Sequence, residues 1–172
     1  MSDMDQLYQQ LILDHARSPH GRGLLDPEQP AWGDSHQLNP TCGDEITLRV
    51  ELVRGTDGAE HVSRVTWDGQ GCSISQASAS VLTDLVAHQP VDRALEVGET
   101  FRALMGSRGA GLDDDQLDLL GDASAFTGVA RFPARIKCAL LGWSAFQGAL
   151  LAASAPHDPR STSMTDTKEA QA

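Results

Sequence analysis

Between residues 46 and 86 the apolar residues change their spacing from every second position to helical spacing, and the change falls at Gly71-Cys72. Before it, residues 46–53 (Ile-Thr-Leu-Arg-Val-Glu-Leu-Val) alternate apolar and polar, the pattern of a half-buried strand. Gly55-Thr56-Asp57-Gly58 is turn chemistry, and residues 62–67 alternate again. A hairpin is therefore predicted, and the residues ahead of Cys42 are expected to add a third antiparallel strand. After the change, Ile74, Ala77, Val81, Leu82, Leu85 and Val86 line one helical face. Ser73 with Gln76 three residues later fits a capping box, which starts this helix just past Cys72.

Other helices follow from the same periodicity. Leu7, Leu11, Ile12 and His15 predict an amphipathic helix over residues 5–17, stopped by Ser18-Pro19-His20-Gly21. A proline- and glycine-rich connection is expected through Asp34. Residues 92–105 read as a helix, 106–111 as flexible, and 113–120 as a short acidic helix. Pro133 suits the first turn of a last helix reaching about residue 153, with Ile136, Leu140, Trp143, Phe146 and Leu150 on its apolar side. Residues 1–153 then form one domain, and 154–172, rich in Ser, Thr, Pro and charge, form a disordered tail.

Charge narrows the function classes. Against 13 Lys and Arg stand 24 Asp and Glu, a formal charge of −11. That field repels a phosphate backbone, so nucleic acid is not an expected partner, whereas a basic patch on another protein is attracted. Acidity also simply maintains solubility. No apolar run approaches the roughly 20 residues of a membrane span, so no membrane association is expected. The acidic N-terminus lacks the basic-then-apolar pattern of a signal peptide, which points to the cytoplasm.

In a reducing compartment three cysteines are buried, catalytic or metal-bound rather than paired. Each lies where an element begins or ends. Cys42 occupies a turn before a strand, Cys72 a predicted helix N-terminus, and Cys138 the start of the last helix. Amide donors and a helix dipole favour thiolate there, the form that binds metal or attacks sulfur. With Asp44, the three make a four-ligand shell that suits zinc. Three thiolates and one carboxylate against Zn²⁺ leave a formal charge of −2, which Arg135 and Lys137 can offset. Spacing alone leaves convergence open, because 29 and 65 residues separate the successive cysteines. Asp44 by itself reads as a turn residue. None of the histidines has the spacing of a metal-binding pair; apart from His36, they read as structural or solvated. The serines from Ser73 to Ser80 are explained by close packing.

Three ordered motifs go further. Asn39-Pro40-Thr41-Cys42-Gly43-Asp44, Gly71-Cys72-Ser73-Ile74-Ser75, and Pro133-Ala134-Arg135-Ile136-Lys137-Cys138-Ala139 together resemble the NifU N-terminal/IscU superfamily. They look most like its SufU branch; the N-terminal stretch from Leu7-Tyr8-Gln9 through Asp14-His15 to Pro19-His20-Gly21 also fits, so the resemblance covers roughly residues 5–153. IscU-type proteins carry a histidine just before the third cysteine, where this chain has Lys137, and residues 104–128 resemble the insertion of SufU proteins. The proline-rich chaperone-docking motif of IscU is missing.

The resemblance implies an α+β fold, SufE/NifU-like, with a small antiparallel sheet of about three strands against several helices. It implies zinc held by Cys42, Asp44, Cys72 and Cys138. It further implies a sulfurtransferase-like sulfur acceptor of SUF iron–sulfur cluster assembly. In that branch a SufS-type cysteine desulfurase donates persulfide sulfur to the first cysteine, here Cys42, and downstream Fe–S scaffold components receive it. Exchange of Cys42 on zinc for a partner histidine frees the thiolate, and Arg135 is the candidate to steady it. Two alternatives stand beside this reading. One is a scaffold assembling a [2Fe–2S] cluster on the same residues; the other is a zinc-stabilised interaction protein without sulfur chemistry.

Overall fold

Strand β2 (Asp44–Arg54) is the middle of a three-stranded antiparallel sheet, flanked by β1 (Ala31–Asn39) and β3 (Glu60–Gln70). The computed structural model describes residues 2–155. Ile46, Leu48, Val50 and Leu52 share the buried face of β2, with Trp67 opposite Leu48 and Val65 opposite Val50. In β3 the step from Val62 to Val65 breaks strict alternation. A bulge absorbs it: Glu51 pairs with Arg64 and Leu52 with Val62, so Ser63 is extra and Val62 stays on the apolar face. The expected third strand is present, and it takes the last residues of the stretch that read as a connection.

Five α-helices and a 3-10 segment accompany the sheet, giving the expected α+β fold. They are α1 (Asp3–Arg17), α2 (Ser73–Val86), α3 (Val91–Gly106), α4 (Asp114–Leu120) and α5 (Pro133–Ser154). The 3-10 segment Gly121–Arg131, which periodicity did not suggest, packs on α1 and α3. Residues 106–111, read as flexible, include a turn in which the Gly111 N–H donates to Ser107 Oγ at 3.2 Å. The predicted tail falls mostly on residues 156–172, outside the described residues; Ser154 still belongs to α5.

The capping box at α2 is a mispredicted detail. Cys72 is still extended (φ −68°, ψ 171°), so it is the N-cap and Ser73 is already the first helical residue. Gln76 instead turns its amide back to the Gly71 carbonyl at 2.8 Å. Complete capping boxes occur at Ser2/Asp5 of α1 and Asp113/Gln116 of α4.

Helix α5 also corrects the expectation that no run approaches a membrane span. Its 22 residues are long and apolar enough, yet 56% of the most apolar window is buried inside the domain. It is a core helix, lying across β1 and β2 and against α2. Its buried residues ring most of its circumference and include Trp143, Phe146 and Leu150, while Ile136 and Leu140 are only half-buried. Gly33 of β1 permits the contact, because a Cβ there would run into the Ala153 nitrogen and the Ala149 carbonyl. Trp143 stacks on Phe101 with centroids 4.5 Å apart, and Phe126 meets Phe101 edge-on.

The outer side of the sheet carries an ion pair. Glu51 is 1% exposed; its Oε2 accepts from Arg64 Nε at 2.6 Å, and its Oε1 accepts the Glu28 and Gln29 N–H groups at 2.5 and 3.0 Å. This clamps the connection between α1 and β1 onto the strands.

Candidate metal centre

The parity of β2 decides where the carboxylate goes. Two residues before Ile46, Asp44 lies on the same buried face, at the end of the sheet where α2 and α5 begin, and is 5% exposed. The four residues joining β1 to β2 place Cys42 next to it. Asn39 Oδ1 accepts the Thr41 N–H at 3.1 Å, and the Asn39 carbonyl accepts the Gly43 N–H at 2.8 Å. Gly43 has φ +75°, a left-handed conformation that suits glycine. Cys42 is thereby presented on an exposed turn.

Cys72, also exposed, points its backbone N–H at Asp44 Oδ1 at 3.3 Å, and its thiol lies 3.6 Å from Ser75 Oγ. Cys138 is buried on the second turn of α5, its thiol 3.6 Å from the Ala134 carbonyl and 3.9 Å from the Cys42 sulfur. One ligand atom from each of Cys42, Asp44 and Cys138 lies within 4.8 Å of the other two. The Cys72 thiol stands beside this trio and acts electrostatically on both Asp44 and Cys138.

These residues fit zinc. Two thiolates at about 2.3 Å on a tetrahedral ion lie about 3.8 Å apart, which the Cys42–Cys138 separation of 3.9 Å matches. Burial opposes ionisation of Asp44. Hydrogen bonds from Ser75 and then from the thiols of Cys138, Cys42 and Cys72 outweigh it, and the carboxyl titrates below its ordinary range. Cys138 moves the other way. Burial first, then the neighbouring Cys72, push its thiol well above the usual value, so by itself it holds its proton. A divalent cation reverses that preference, because a coordinating thiol is deprotonated outright.

Arg135 sits on the first turn of α5, exposed, with its guanidinium 4.6 Å from the centre of the Phe132 ring. Lys137 is exposed as well. His36 is 3.4 Å from Glu45 across the β1–β2 pair and is not among the clustered ligand atoms.

Sequence reasoning missed Ser75. Its hydroxyl donates to Asp44 Oδ2 at 2.5 Å in a buried contact, so it orients the carboxylate as well as packing closely. Its position three residues beyond Cys72, on the same side of the first helical turn, was the available signal. Ser78 likewise does more than pack: it donates to the Ala139 carbonyl at 2.6 Å and accepts from Trp143 Nε1 at 3.0 Å. Ser75→Ala is expected to weaken zinc binding by roughly 10- to 100-fold, the scale for outer partners of a ligand set, with the fold intact. Competition against a chromophoric chelator measures this; unchanged affinity would show that Asp44 is held without Ser75.

The NifU-like N terminal domain family matches residues 7–139. The chain is 39% identical over 146 residues to the zinc-dependent sulfurtransferase SufU of Bacillus subtilis (strain 168), covering 85% of this chain and 90% of that protein. It is 33% identical over 150 residues to the iron–sulfur cluster assembly scaffold protein IscU of Thermotoga maritima, covering 87% and 96%. Among solved structures, a SUF-system protein of Fervidobacterium islandicum AW-1, described as an iron–sulfur cluster assembly scaffold, superimposes with TM-score 0.68 at 28% identity, covering 84% of this chain and 97% of that one.

Proposed function

Because the chain belongs to the family of NifU-like N-terminal domains, we propose that it is a zinc-dependent sulfur acceptor, taking persulfide sulfur from a SufS-type cysteine desulfurase in the cytoplasm. The observation that carries this is the placing of Cys42 on an exposed turn, 3.9 Å from the buried Cys138 and beside Asp44. A thiol meant only to hold structure is usually enclosed; this one faces solvent. Cys42, Asp44, Cys72 and Cys138 hold the zinc, whose chemistry is to keep the thiols ionised near neutral pH.

The transfer itself conserves electrons. The Cys42 thiolate attacks the outer sulfur of the donor's persulfide; a sulfur–sulfur bond forms on Cys42 as the donor's breaks, and the electron pair leaves with the donor cysteine as thiolate. Asp44 contributes charge and is no nucleophile. Arg135 stands on the exposed start of α5, where it steadies the liberated sulfur. The exposed Leu38 and Phe132 flank the turn and the start of α5 in sequence and suit an apolar contact with the desulfurase. The acidic chain complements a basic docking surface.

The second reading, a [2Fe–2S] scaffold on the same residues, has the IscU relatives in its favour. Sulfide release from cysteine by a SufS-type desulfurase, in iron-free buffer with a thiol reductant, separates the two. Strong stimulation by a substoichiometric amount of this protein is expected. No stimulation without iron, followed by a coloured cluster once iron is added, would establish the scaffold instead.

A further inference from the structure

A second group of ligand-type side chains converges at the far end of α2. His15 lies in the last turn of α1, His20 follows just beyond Ser18-Pro19, and Asp84 stands on α2. One nitrogen of each imidazole and one oxygen of Asp84 lie within 4.8 Å of one another, and the two rings are 4.9 Å apart. Asp84 is twelve residues beyond Cys72 along the helix, about 18 Å at 1.5 Å per residue, so this group is separate from the cysteine centre. It was invisible to spacing arguments because Asp84 comes from a distant segment, and because His20 lies past the end of α1 and is placed by contacts to Ser80 and Trp67.

The group is held in place from below. The His20 N–H donates to Ser80 Oγ at 2.7 Å, and its carbonyl accepts from Trp67 Nε1 at 2.9 Å, so the backbone under this histidine is pinned on both sides. Ser80 is fully buried, and its oxygen also lies 2.7 Å from His15 Nδ1. In the tautomer whose Nδ1–H donates to Ser80, Nε2 of His15 is left to coordinate, the arrangement that orients histidines around metals. His20 Nδ1 is 2.6 Å from Asp84 Oδ2, and the proton held between them is the one a cation displaces. An exposed His–Asp pair alone stabilises little.

We propose that His15, His20 and Asp84 bind a divalent late-transition-metal ion such as Zn²⁺, with water completing the shell. Two imidazoles and one carboxylate select such an ion over Mg²⁺ or Ca²⁺. Three protein ligands leave a position open. The His20 and Asp84 side chains are 54% and 49% exposed, and an open groove beside them runs past Asp14 and Arg17, whose charges offset. An ion here ties α1 to α2 and stabilises the native chain by mass action.

The test is a zinc titration of the tag-free full-length chain, followed through the ¹⁵N shifts of the histidine rings. The His15 and His20 rings should shift together and saturate with one ion, in wild type and in Cys42→Ser alike. In His20→Ala and in Asp84→Asn, both at exposed positions, the His15 response should weaken by roughly tenfold or more, at least the scale seen for outer partners of metal ligands. Rings that stay unmoved in excess zinc, or a His15 response unchanged in both variants, would overturn the proposal.

Discussion

Cys42→Ala should return desulfurase-driven sulfide release to the level of the desulfurase alone while leaving the domain folded. The side chain lies on an exposed turn whose shape comes from Asn39 and Gly43, so its removal takes no backbone hydrogen bond and opens no cavity. Surface changes of this kind usually alter stability by less than about 0.5 kcal/mol. Asp44, Cys72 and Cys138 remain, and three protein ligands still suffice for zinc with an open position. Rate and fold therefore separate in this variant. Cys138→Ala makes the opposite case: its thiol is buried against the Ala134 carbonyl, so that change is expected to lose metal and stability together. Sulfide assays paired with melting curves decide between them. Retained stimulation in Cys42→Ala would pass the acceptor role to Cys72, the other exposed thiol.

Legibility in the sequence followed the range of the interactions. The strands and helices were readable because alternation and 3.6-residue spacing are local consequences of burying one face, and α2 and the ends of α3 and α5 fall close to where periodicity put them. The placing of Cys42, Asp44, Cys72 and Cys138 at element ends was readable too, but their convergence was not. It depends on β2 parity carrying Asp44 to the buried face, and on α5 crossing the sheet close enough to bring Cys138 to the turn. Spacing left that open, and only resemblance joined the four. Ser75 and Ser80 show the limit most plainly. Both sit in a run of small residues that packing explains, yet each hydroxyl serves a different group of side chains reached only through tertiary structure. The α2 cap failed for a local reason: a Ser-x-x-Gln pattern cannot show that the preceding cysteine still holds the extended conformation of the strand behind it.

Glu51 is the position where a single polar substitution should cost most in stability. Alternation assigns it to the solvent side of β2, as a solvated acid among many in an acidic chain. The structure instead buries it under the α1–β1 connection, with the Arg64 guanidinium on one oxygen and two backbone N–H groups on the other. Glu51→Ala strands those two donors and leaves Arg64, 25% exposed as a side chain, without its nearest counter-charge. Breaking a buried pair from one side typically costs 3–5 kcal/mol; because Arg64 keeps some water, about 3 kcal/mol is the expected loss in denaturant unfolding. A loss below about 1 kcal/mol would mean the connection peels away and resolvates its donors, so that the clamp is local. The pH dependence gives an independent reading of the same contact. Burial raises the Glu51 pKa, but the Glu28 and Gln29 N–H groups and Arg64 outweigh it and the net displacement is downward. A carboxyl with a depressed folded value contributes stability that is fully present above its unfolded pKa, about 4.3, and is lost as pH falls through the folded one. Glu51→Gln should accordingly lower stability at neutral pH and flatten the acid limb of the unfolding curve. An acid limb as steep as that of wild type would assign the acid sensitivity to other carboxylates, with Asp44 and Asp57 next in line because their values are also lowered.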